Sequence, residues 1–335
     1  MSRILVTGAN GFLGAHIVKE ALDNGYAVRG TVRSQAKADE LKKAFPSDKF
    51  ETAVVPDLIS GDYTEALKGV TAVVHSASPF SLGLSDPKKD FLEPAVDGTL
   101  SVLRAAYAAG VKRFVVTSTV GTLPNKPDLL FADVEYGPDD WLPFTYEQAA
   151  NGELPGFAVY ITSKKYAELA AWDFAKEHSD VKMTSVNPTI IYGPVIHPIS
   201  SLKSLNASNM AIYSLINGSK TIPPDSVPVF CDVVSTARLH IKALDSEATY
   251  GKRVLFAKGP ATMYQILQII VKARPELADR FPPIPDVDPV AGKPISRVDS
   301  RLAMDTLGIK GLELEETVLQ TVDNLLELEK KLGTN

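Results

Sequence analysis

Arg3-Ile-Leu-Val-Thr7, followed directly by Gly8-Ala-Asn-Gly11-Phe-Leu-Gly14, is the stretch that decides the fold of this chain. The first five residues form a largely apolar run that is typical of a buried parallel strand. Glycine has no Cβ, so it permits a tight turn at Gly8, close approach of a pyrophosphate to the backbone at Gly11, and helix–strand packing at Gly14. A helix that begins after this turn directs its N–H groups and its positive dipole end at the phosphates. The pattern predicts a dinucleotide-binding site.

The end of the second predicted strand selects the dinucleotide. A site that prefers NAD places Asp or Glu about 20 residues after the glycines, where the carboxylate binds the ribose hydroxyls. This chain instead has Arg33 after the strand-like segment 26–32, and Lys37 follows one helical turn later. A guanidinium suits a 2′-phosphate, because the phosphate accepts bidentate hydrogen bonds. We therefore predict NADPH/NADP in preference to NADH; the alternative is that both cations are solvated residues of a surface helix.

The alternation of apolar strand candidates with helical patterns predicts an α/β fold with a doubly wound, Rossmann-like parallel sheet. The strand candidates are Ile4–Thr7, Ala27–Val32, Thr52–Val55, Ala72–His75, Phe114–Thr117 and Met183–Asn187. Helices are expected over residues 12–24, 34–45, 94–109, 160–178, 208–217 and 314–332.

The sequence changes character after Asn187, where proline-punctuated segments separate shorter helices. We expect residues 1–187 to form the dinucleotide-binding domain, including a catalytic helix over 160–178. Residues 188–335 are expected to form mainly a smaller C-terminal lobe that binds substrate, with about 228–256 returning to the first domain. The proline-rich segment 274–294 is interpreted as a surface connection; the alternative is a polyproline ligand for a partner domain.

Composition argues against several classes of function. The net charge is −5, and no cluster of basic residues is interleaved with aromatic ones, so nucleic acid is not an expected partner. The single cysteine, Cys231, permits no intrachain disulfide, and only Met1 and Ser2 precede the first strand, which favours a cytoplasmic enzyme. No apolar run approaches the roughly 18 residues of a membrane helix. The scattered histidines show no metal-ligand spacing, so no metal is expected, and the chain is predicted to be a monomer or a homodimer.

A tyrosine and a lysine with helical spacing indicate carbonyl chemistry. When a nicotinamide delivers hydride to a carbonyl, a nearby acid must protonate the developing alkoxide. Tyr160 and Lys164 are four residues apart, so one helix face presents both, and the ammonium is expected to lower the phenol pKa from about 10. The strand that ends at Thr117 continues with Ser118 and Thr119, whose hydroxyls would face the ligand crevice. We expect one of these hydroxyls to bind the substrate oxygen beside the tyrosine.

Taken together, these motifs resemble the extended short-chain dehydrogenases/reductases. Within them, the chain looks most like the dihydroflavonol 4-reductase and cinnamoyl-CoA reductase group, and it is especially similar to the fungal NADPH-dependent ketone, methylglyoxal and aldehyde reductases. The likeness is carried by residues 7–14, 33–37, 54–57, 76–80, 117–119 and 160–172. It extends from Ile4 to about Leu244.

The resemblance implies a role for each matching position. The nicotinamide would present its pro-S hydride, and Lys164 would also bind the nicotinamide ribose. The other implied contacts are Gly8, Gly11, Phe12 and Leu13 at the pyrophosphate, Arg33 and Lys37 at the 2′-phosphate, Asp57 and Leu58 at the adenine, Ala77 and Ser78 at the ribose, and Pro188, Thr189 and Ile190 beside the nicotinamide. Thr7, Asn10, Gly14, Ser76, Thr117 and Tyr160 complete the expected cofactor set.

One departure from the family pattern leaves the catalytic hydroxyl open. The family usually has Thr-Ser-Ser with the second serine catalytic, and ungapped alignment places Thr119 at that position. Threonine keeps the hydroxyl but adds a methyl group that restricts χ1. We favour Thr119; the alternative is Ser118 after a shift of one residue.

These patterns predict a reductase that converts a small, fairly hydrophobic ketone or aldehyde to an alcohol with NADPH. The pocket is expected to be apolar and to lack an arginine clamp, with candidate substrate residues Phe80, Val120, Leu123 and Tyr192. One alternative is an NAD-dependent sugar-nucleotide epimerase or dehydratase of the same superfamily. Another is a dinucleotide sensor without catalytic activity.

Overall fold

The computed structural model describes residues 2–78, 86–125, 130–225 and 227–333. The strands within these ranges are β1 (Arg3–Thr7), β2 (Ala27–Val32), β3 (Phe50–Val54), β4 (Val70–His75), β5 (Arg113–Thr117), β6 (Glu135–Tyr136), β7 (Lys182–Pro188), β8 (Ile190–Tyr192), β9 (Val229–Asp232), β10 (Lys252–Phe256), β11 (Gly259–Pro260) and β12 (Arg297–Val298). The α-helices are α1 (Phe12–Asp23), α2 (Gln35–Ala44), α3 (Thr64–Leu67), α4 (Glu93–Ala108), α5 (Tyr146–Ala150), α6 (Gly156–Glu177), α7 (Ala207–Ser214), α8 (Val233–Asp245), α9 (Met263–Ala273) and α10 (Leu314–Leu332).

The central sheet is parallel, with strand order β10-β7-β5-β4-β1-β2-β3 in the described part of the chain. Strand β1 pairs with β2 on one side and with β4 on the other. The direction in which the strands are added therefore reverses beside β1, and a crevice forms at the carboxyl ends of the strands at such a point. The predicted α/β class with a doubly wound, Rossmann-like sheet is confirmed.

Side chains of the buried strands alternate between two hydrophobic layers, as the two-residue repeat of a strand requires. Ile4 and Val6 of β1 face a cluster with α1, α2 and α8, whereas Leu5 faces a second cluster with α4 and α6. Continuous Ile, Leu and Val runs therefore form the strands, because both faces of the sheet are buried.

The second half of the chain contributes to both parts of the molecule. Strand β10 pairs with β7 and so lies at the edge of the central sheet, and α8 packs against α1. Strands β8, β9 and β11 form a small separate sheet, and α7 packs against β8 while α10 packs against α7 and α9. The first hydrophobic cluster continues into these helices, so the lobe and the sheet share one core.

The proline-rich segment 274–294 is attached to the last helix. Its first part is a 3₁₀ turn, Pro275–Arg280, and Arg274 and Arg280 form ion pairs with Asp323 and Glu329 of α10. These contacts favour the interpretation as a surface connection. Among the residues that the structure describes, none of the helices combines the length and the apolar character of a membrane-spanning segment.

Helix α6 differs from its predicted bounds. The sequence pattern places its start at Tyr160, but the helix begins at Gly156, directly after Pro155. Pro155 is the N-cap residue: its backbone is extended, with ψ of 156°, and its carbonyl accepts the N–H of Val159 in the first turn of the helix. Tyr160 therefore lies one turn inside the helix, which gives it a fixed position.

Candidate active site

The turn after β1 has the geometry that its glycines predict. Gly8 has a φ of +69°, in the left-handed region that favours glycine, and a Cβ there would lie 2.9 Å from the Cα of Ala77. A Cβ on Gly14 would lie 2.1 Å from the carbonyl oxygen of Gly8, so α1 can pack against the turn only because Gly14 has no side chain. The N-terminus of α1 is thus held at a turn of bare backbone, where a phosphate can bind.

A cavity of about 270 Å³ lies over this turn at the carboxyl ends of β1, β2 and β4. Its lining includes the predicted cofactor residues Gly8, Asn10, Gly11, Arg33, Leu58, Ser76, Ala77 and Ser78. Three further lining residues, Thr31, Val32 and Val55, were missed by the sequence interpretation. Their position at the ends of β2 and β3 is the signal that could have found them, because ligands bind at strand ends in such sheets.

The two cations predicted at the 2′-phosphate differ in their surroundings. Arg33 is exposed at the cavity and, among the residues that the structure describes, forms no ion pair. Lys37 forms an ion pair with Glu40 at 2.8 Å, and its side chain is 42% exposed. Arg33 can therefore bind an anion without breaking an existing pair, whereas Lys37 must first leave Glu40.

Asp57 is held by its own loop. Its carboxylate accepts hydrogen bonds from the N–H and hydroxyl of Ser60 and from the N–H of Ile59, at 2.7 to 3.0 Å. The bonds from Ser60 lower the pKa of Asp57, and the nearby charge of Arg33 lowers it further. The carboxylate is thus ionised, and the bonds to its Oδ1 order the loop that carries Leu58 into the cavity.

Several other predicted cofactor residues lie at the strand ends and in the first turn of α1, next to the crevice. The Thr7 hydroxyl lies 2.8 Å from Nδ1 of His75 and also accepts the N–H of Ala77, which fixes Ala77 over the glycine turn. Phe12 and Leu13 are buried in the first turn of α1. Of the residues predicted beside the nicotinamide, Pro188 ends β7, Ile190 begins β8 and Thr189 lies between the two strands.

Tyr160 and Lys164 lie on α6, which packs against the end of β5. Nζ of Lys164 donates a 2.8 Å hydrogen bond to the carbonyl of Thr117, so the lysine is anchored to the strand end. Burial lowers the pKa of Lys164 to about 8. The predicted lowering of the Tyr160 pKa is wrong for this structure, because burial raises the phenol pKa to about 12. The phenol is therefore protonated at neutral pH, as a proton donor requires.

The two candidate hydroxyls point in different directions. Ser118 is buried and its hydroxyl donates to Glu168 at 2.5 Å, away from the crevice. Thr119 is partly exposed; its hydroxyl accepts the N–H of Gly121 at 3.1 Å and donates a 3.4 Å hydrogen bond to the carbonyl of Pro188. Thr117 is directed to the other face of the sheet, where its hydroxyl lies 2.9 Å from Nε2 of His240.

The residues predicted to contact substrate are largely inaccessible. Val120 and Leu123 are fully buried in a small core with Tyr136 and Leu255, because a 3₁₀ turn over 120–122 directs them inward. Tyr192 is 1% exposed, with its hydroxyl 4.0 Å from the Met263 sulfur. The fourth candidate, Phe80, lies outside the described residues.

A buried ion pair behind Ser118 was not predicted. Glu168 and Arg253 are 1% and 6% exposed in their side chains and are joined at 2.7 Å. Glu168 lies four residues after Lys164 and so shares its helix face, which is the signal that could have drawn attention to it. Arg253 is 85 residues further along the chain and has no such signal.

Comparison with known proteins agrees with this geometry. The model of the NAD dependent epimerase/dehydratase family matches residues 4–246. The chain is 37% identical to a putative uncharacterized oxidoreductase of Schizosaccharomyces pombe, over 97% of both chains. It is also 33% identical to a putative NADPH-dependent methylglyoxal reductase of Candida albicans, over 96% of this chain and 98% of that protein.

A solved structure extends the similarity to the whole chain. The yeast methylglyoxal/isovaleraldehyde reductase, crystallised with NADPH, superposes with a TM-score of 0.87 at 30% identity and covers 98% of this chain and 99% of its own. The resemblance to the extended short-chain dehydrogenases/reductases is confirmed. The chain belongs to the NAD dependent epimerase/dehydratase family.

Proposed function

We propose that the protein is an NADPH-dependent reductase that converts small ketones or aldehydes to alcohols. The observation that carries this proposal is the junction of α6 with the end of β5. Lys164 is hydrogen-bonded to the Thr117 carbonyl, and a Cβ on Gly121 would lie 2.8 Å from the Ile161 side chain. The helix that carries Tyr160 is thus packed directly against the segment that carries Thr119. Such proximity is what proton delivery to a bound carbonyl needs.

We assign a separate task to each side chain at this junction. NADPH, when bound, supplies hydride from C4 of its nicotinamide. Tyr160 protonates the carbonyl oxygen, and the partly exposed Thr119 hydroxyl orients that oxygen. Ser118 is not proposed as the catalytic hydroxyl, because it is buried and donates a 2.5 Å hydrogen bond to the carboxylate of Glu168, whereas Thr119 is partly exposed and its donated bond to the Pro188 carbonyl is 3.4 Å long. Lys164 binds the nicotinamide ribose and keeps a positive charge beside the phenol.

The residues around the glycine turn fit a dinucleotide with a 2′-phosphate. Gly8 and Gly11 line the cavity without side chains, and Arg33 offers a guanidinium there with no ion pair among the described residues. The C-terminal lobe, from residue 188 onward apart from the returning segment 228–256, is proposed to bind substrate. The similar fungal proteins are named as methylglyoxal or isovaleraldehyde reductases, which supports a small carbonyl compound as substrate.

The activity can be tested by following NADPH absorbance at 340 nm with purified protein. The substrate panel would include methylglyoxal, isovaleraldehyde, aryl ketones and β-keto esters, with NADH in parallel. We expect rapid oxidation of NADPH with one class and much slower oxidation of NADH. Protein that purifies with stoichiometric NAD⁺ and consumes no NADPH would favour an epimerase or dehydratase. Dinucleotide binding without turnover of any carbonyl would favour a sensor.

A further inference from the structure

The buried Glu168–Arg253 ion pair is extensively hydrogen-bonded. Glu168 accepts hydrogen bonds from Ser118 at 2.5 Å, Ser185 at 2.8 Å and Asn187 at 3.0 Å. Burial alone would raise the pKa of Glu168, but Arg253 and these donors outweigh burial and hold the pKa below its ordinary value. The carboxylate is therefore ionised, and it ties α6 to the ends of both β5 and β7.

Arg253 extends the same cluster to the segment that follows β6. Its guanidinium donates to the carbonyls of Pro138 and Asp140 at 2.8 Å and to the Thr122 hydroxyl at 2.7 Å. The guanidinium also stacks on the ring of Trp141, 3.7 Å from its centroid. One side chain thus connects the edge strand β10, the loop around residue 140 and the turn directly after Thr119.

The cluster also bears on the charge of Lys164. The charge of Glu168 opposes the lowering of the Lys164 pKa that burial causes. Among the described residues, His75 on β4 interacts electrostatically with Lys164, Tyr160 shares its helix face, and Arg253 lies beyond Glu168. Glu168 is therefore the acidic group that favours the ammonium form of Lys164.

A buried ion pair is weak evidence for stability, because desolvation of both charges offsets their attraction. The pair and its hydrogen bonds do, however, fix the position of α6 relative to the ends of β5 and β7. We propose that Glu168 and Arg253 are positioning residues, which set the strand end carrying Thr119 against the helix face carrying Tyr160 and Lys164. This inference rests on the proposed reductase function, since it assigns these residues to the same site.

The first test removes both charges while conserving size. The double variant Glu168→Gln/Arg253→Met is expected to melt cooperatively, because a neutral pair of similar volume avoids desolvation. We expect its kcat to fall about 10- to 100-fold, since a misplacement of about 1 Å has effects of this size. The matched control is Lys112→Met/Asp180→Asn, which removes a 3.0 Å ion pair at the amino ends of β5 and β7, opposite the crevice, and should keep the native kcat.

The second test uses a readout that a merely structural role would not change. The alkaline limb of kcat/KM for NADPH reports deprotonation in the free enzyme. In Glu168→Gln, this limb should move to lower pH, because the charge that favours protonated Lys164 is gone. The Lys112/Asp180 control should keep the native limb.

Native kcat together with a native alkaline limb in the two cluster variants would overturn the inference. If the neutral pair does not melt cooperatively, Arg253→Lys replaces it, because lysine keeps the charge but cannot reach all the partners of the guanidinium. A native kcat in Arg253→Lys would then overturn the proposal, whereas a loss of about tenfold or more would support it. A wild-type protein that reduces no carbonyl would contradict the proposed function instead, which separates the two failures.

Discussion

Arg33→Ala should reduce the preference for NADPH over NADH by a magnitude that follows from the position of the side chain. Arg33 is exposed at the cavity and forms no ion pair within the described ranges, so it can donate to a 2′-phosphate without losing a partner. Hydrogen bonds to a charged group contribute about 1.5–3 kcal/mol. Because solvent screens an exposed pair, we expect the lower part of this range, about 1.5–2 kcal/mol. The ratio of kcat/KM for NADPH to that for NADH should therefore fall about 10- to 30-fold.

The assay compares both cofactors at fixed carbonyl concentration and at low and high salt. The loss should be confined to NADPH and should shrink as salt rises, since salt screens exposed charges. Lys37→Ala is the matched control and should have a smaller effect, because Lys37 already pairs with Glu40. An unchanged cofactor ratio in Arg33→Ala, or an equal loss with NADH, would refute the assignment of Arg33 to the 2′-phosphate.

Three further predictions concern the turn, the lysine and the hydroxyl. Gly14→Ala should lower the free energy of unfolding by roughly 3 kcal/mol or more in thermal denaturation, because its Cβ would lie 2.1 Å from a backbone oxygen. Gly25→Ala is the control: its Cβ would meet nothing within 4 Å, so the loss should be about 1–2 kcal/mol. Equal losses in the two variants would contradict the packing argument. Burial lowers the pKa of Lys164 to about 8, so the lysine loses its charge as pH rises through this value. We therefore expect kcat/KM for NADPH to fall through about pH 8. A flat pH profile would contradict the role of the Lys164 charge. Thr119→Ala should lower kcat at least about tenfold more than Ser118→Ala does. Circular dichroism should show that both variants are folded. The reverse order of the two losses would favour Ser118 as the catalytic hydroxyl.

The sheet was accessible from the sequence because its strands are buried on both faces. Runs such as Ile4-Leu-Val6 can be recognised as buried strands without knowledge of the tertiary structure. The glycine spacing then predicts the turn and α1 that follow. The α10 bounds, 314–332, match the predicted helix, since its apolar residues recur at helical intervals. The start of α6 was misplaced by four residues, because Gly156 and Phe157 lack a strong helical pattern.

Site residues could be predicted from the sequence only where they belong to a local motif. The spacing of Tyr160 and Lys164 is a property of one helix, so their shared face follows from sequence. Val120 and Leu123 are apolar candidates for the substrate pocket, but a short turn directs both side chains into the core. The partner of Glu168 could not be found locally, because Arg253 reaches it only through the pairing of β10 with β7. Burial of Tyr160, which reverses the predicted pKa shift, is likewise a tertiary property.

The most direct test of the central claim is single-turnover reduction of the best carbonyl substrate by Tyr160→Phe loaded with NADPH. Phenylalanine removes the hydroxyl and keeps the ring that packs near Phe157. We predict that NADPH binding, measured by fluorescence, is retained while the rate of NADPH oxidation falls about 10²- to 10⁴-fold, the usual contribution of a general acid. A native rate of carbonyl reduction in this folded, NADPH-binding variant would contradict the assignment of Tyr160 as proton donor.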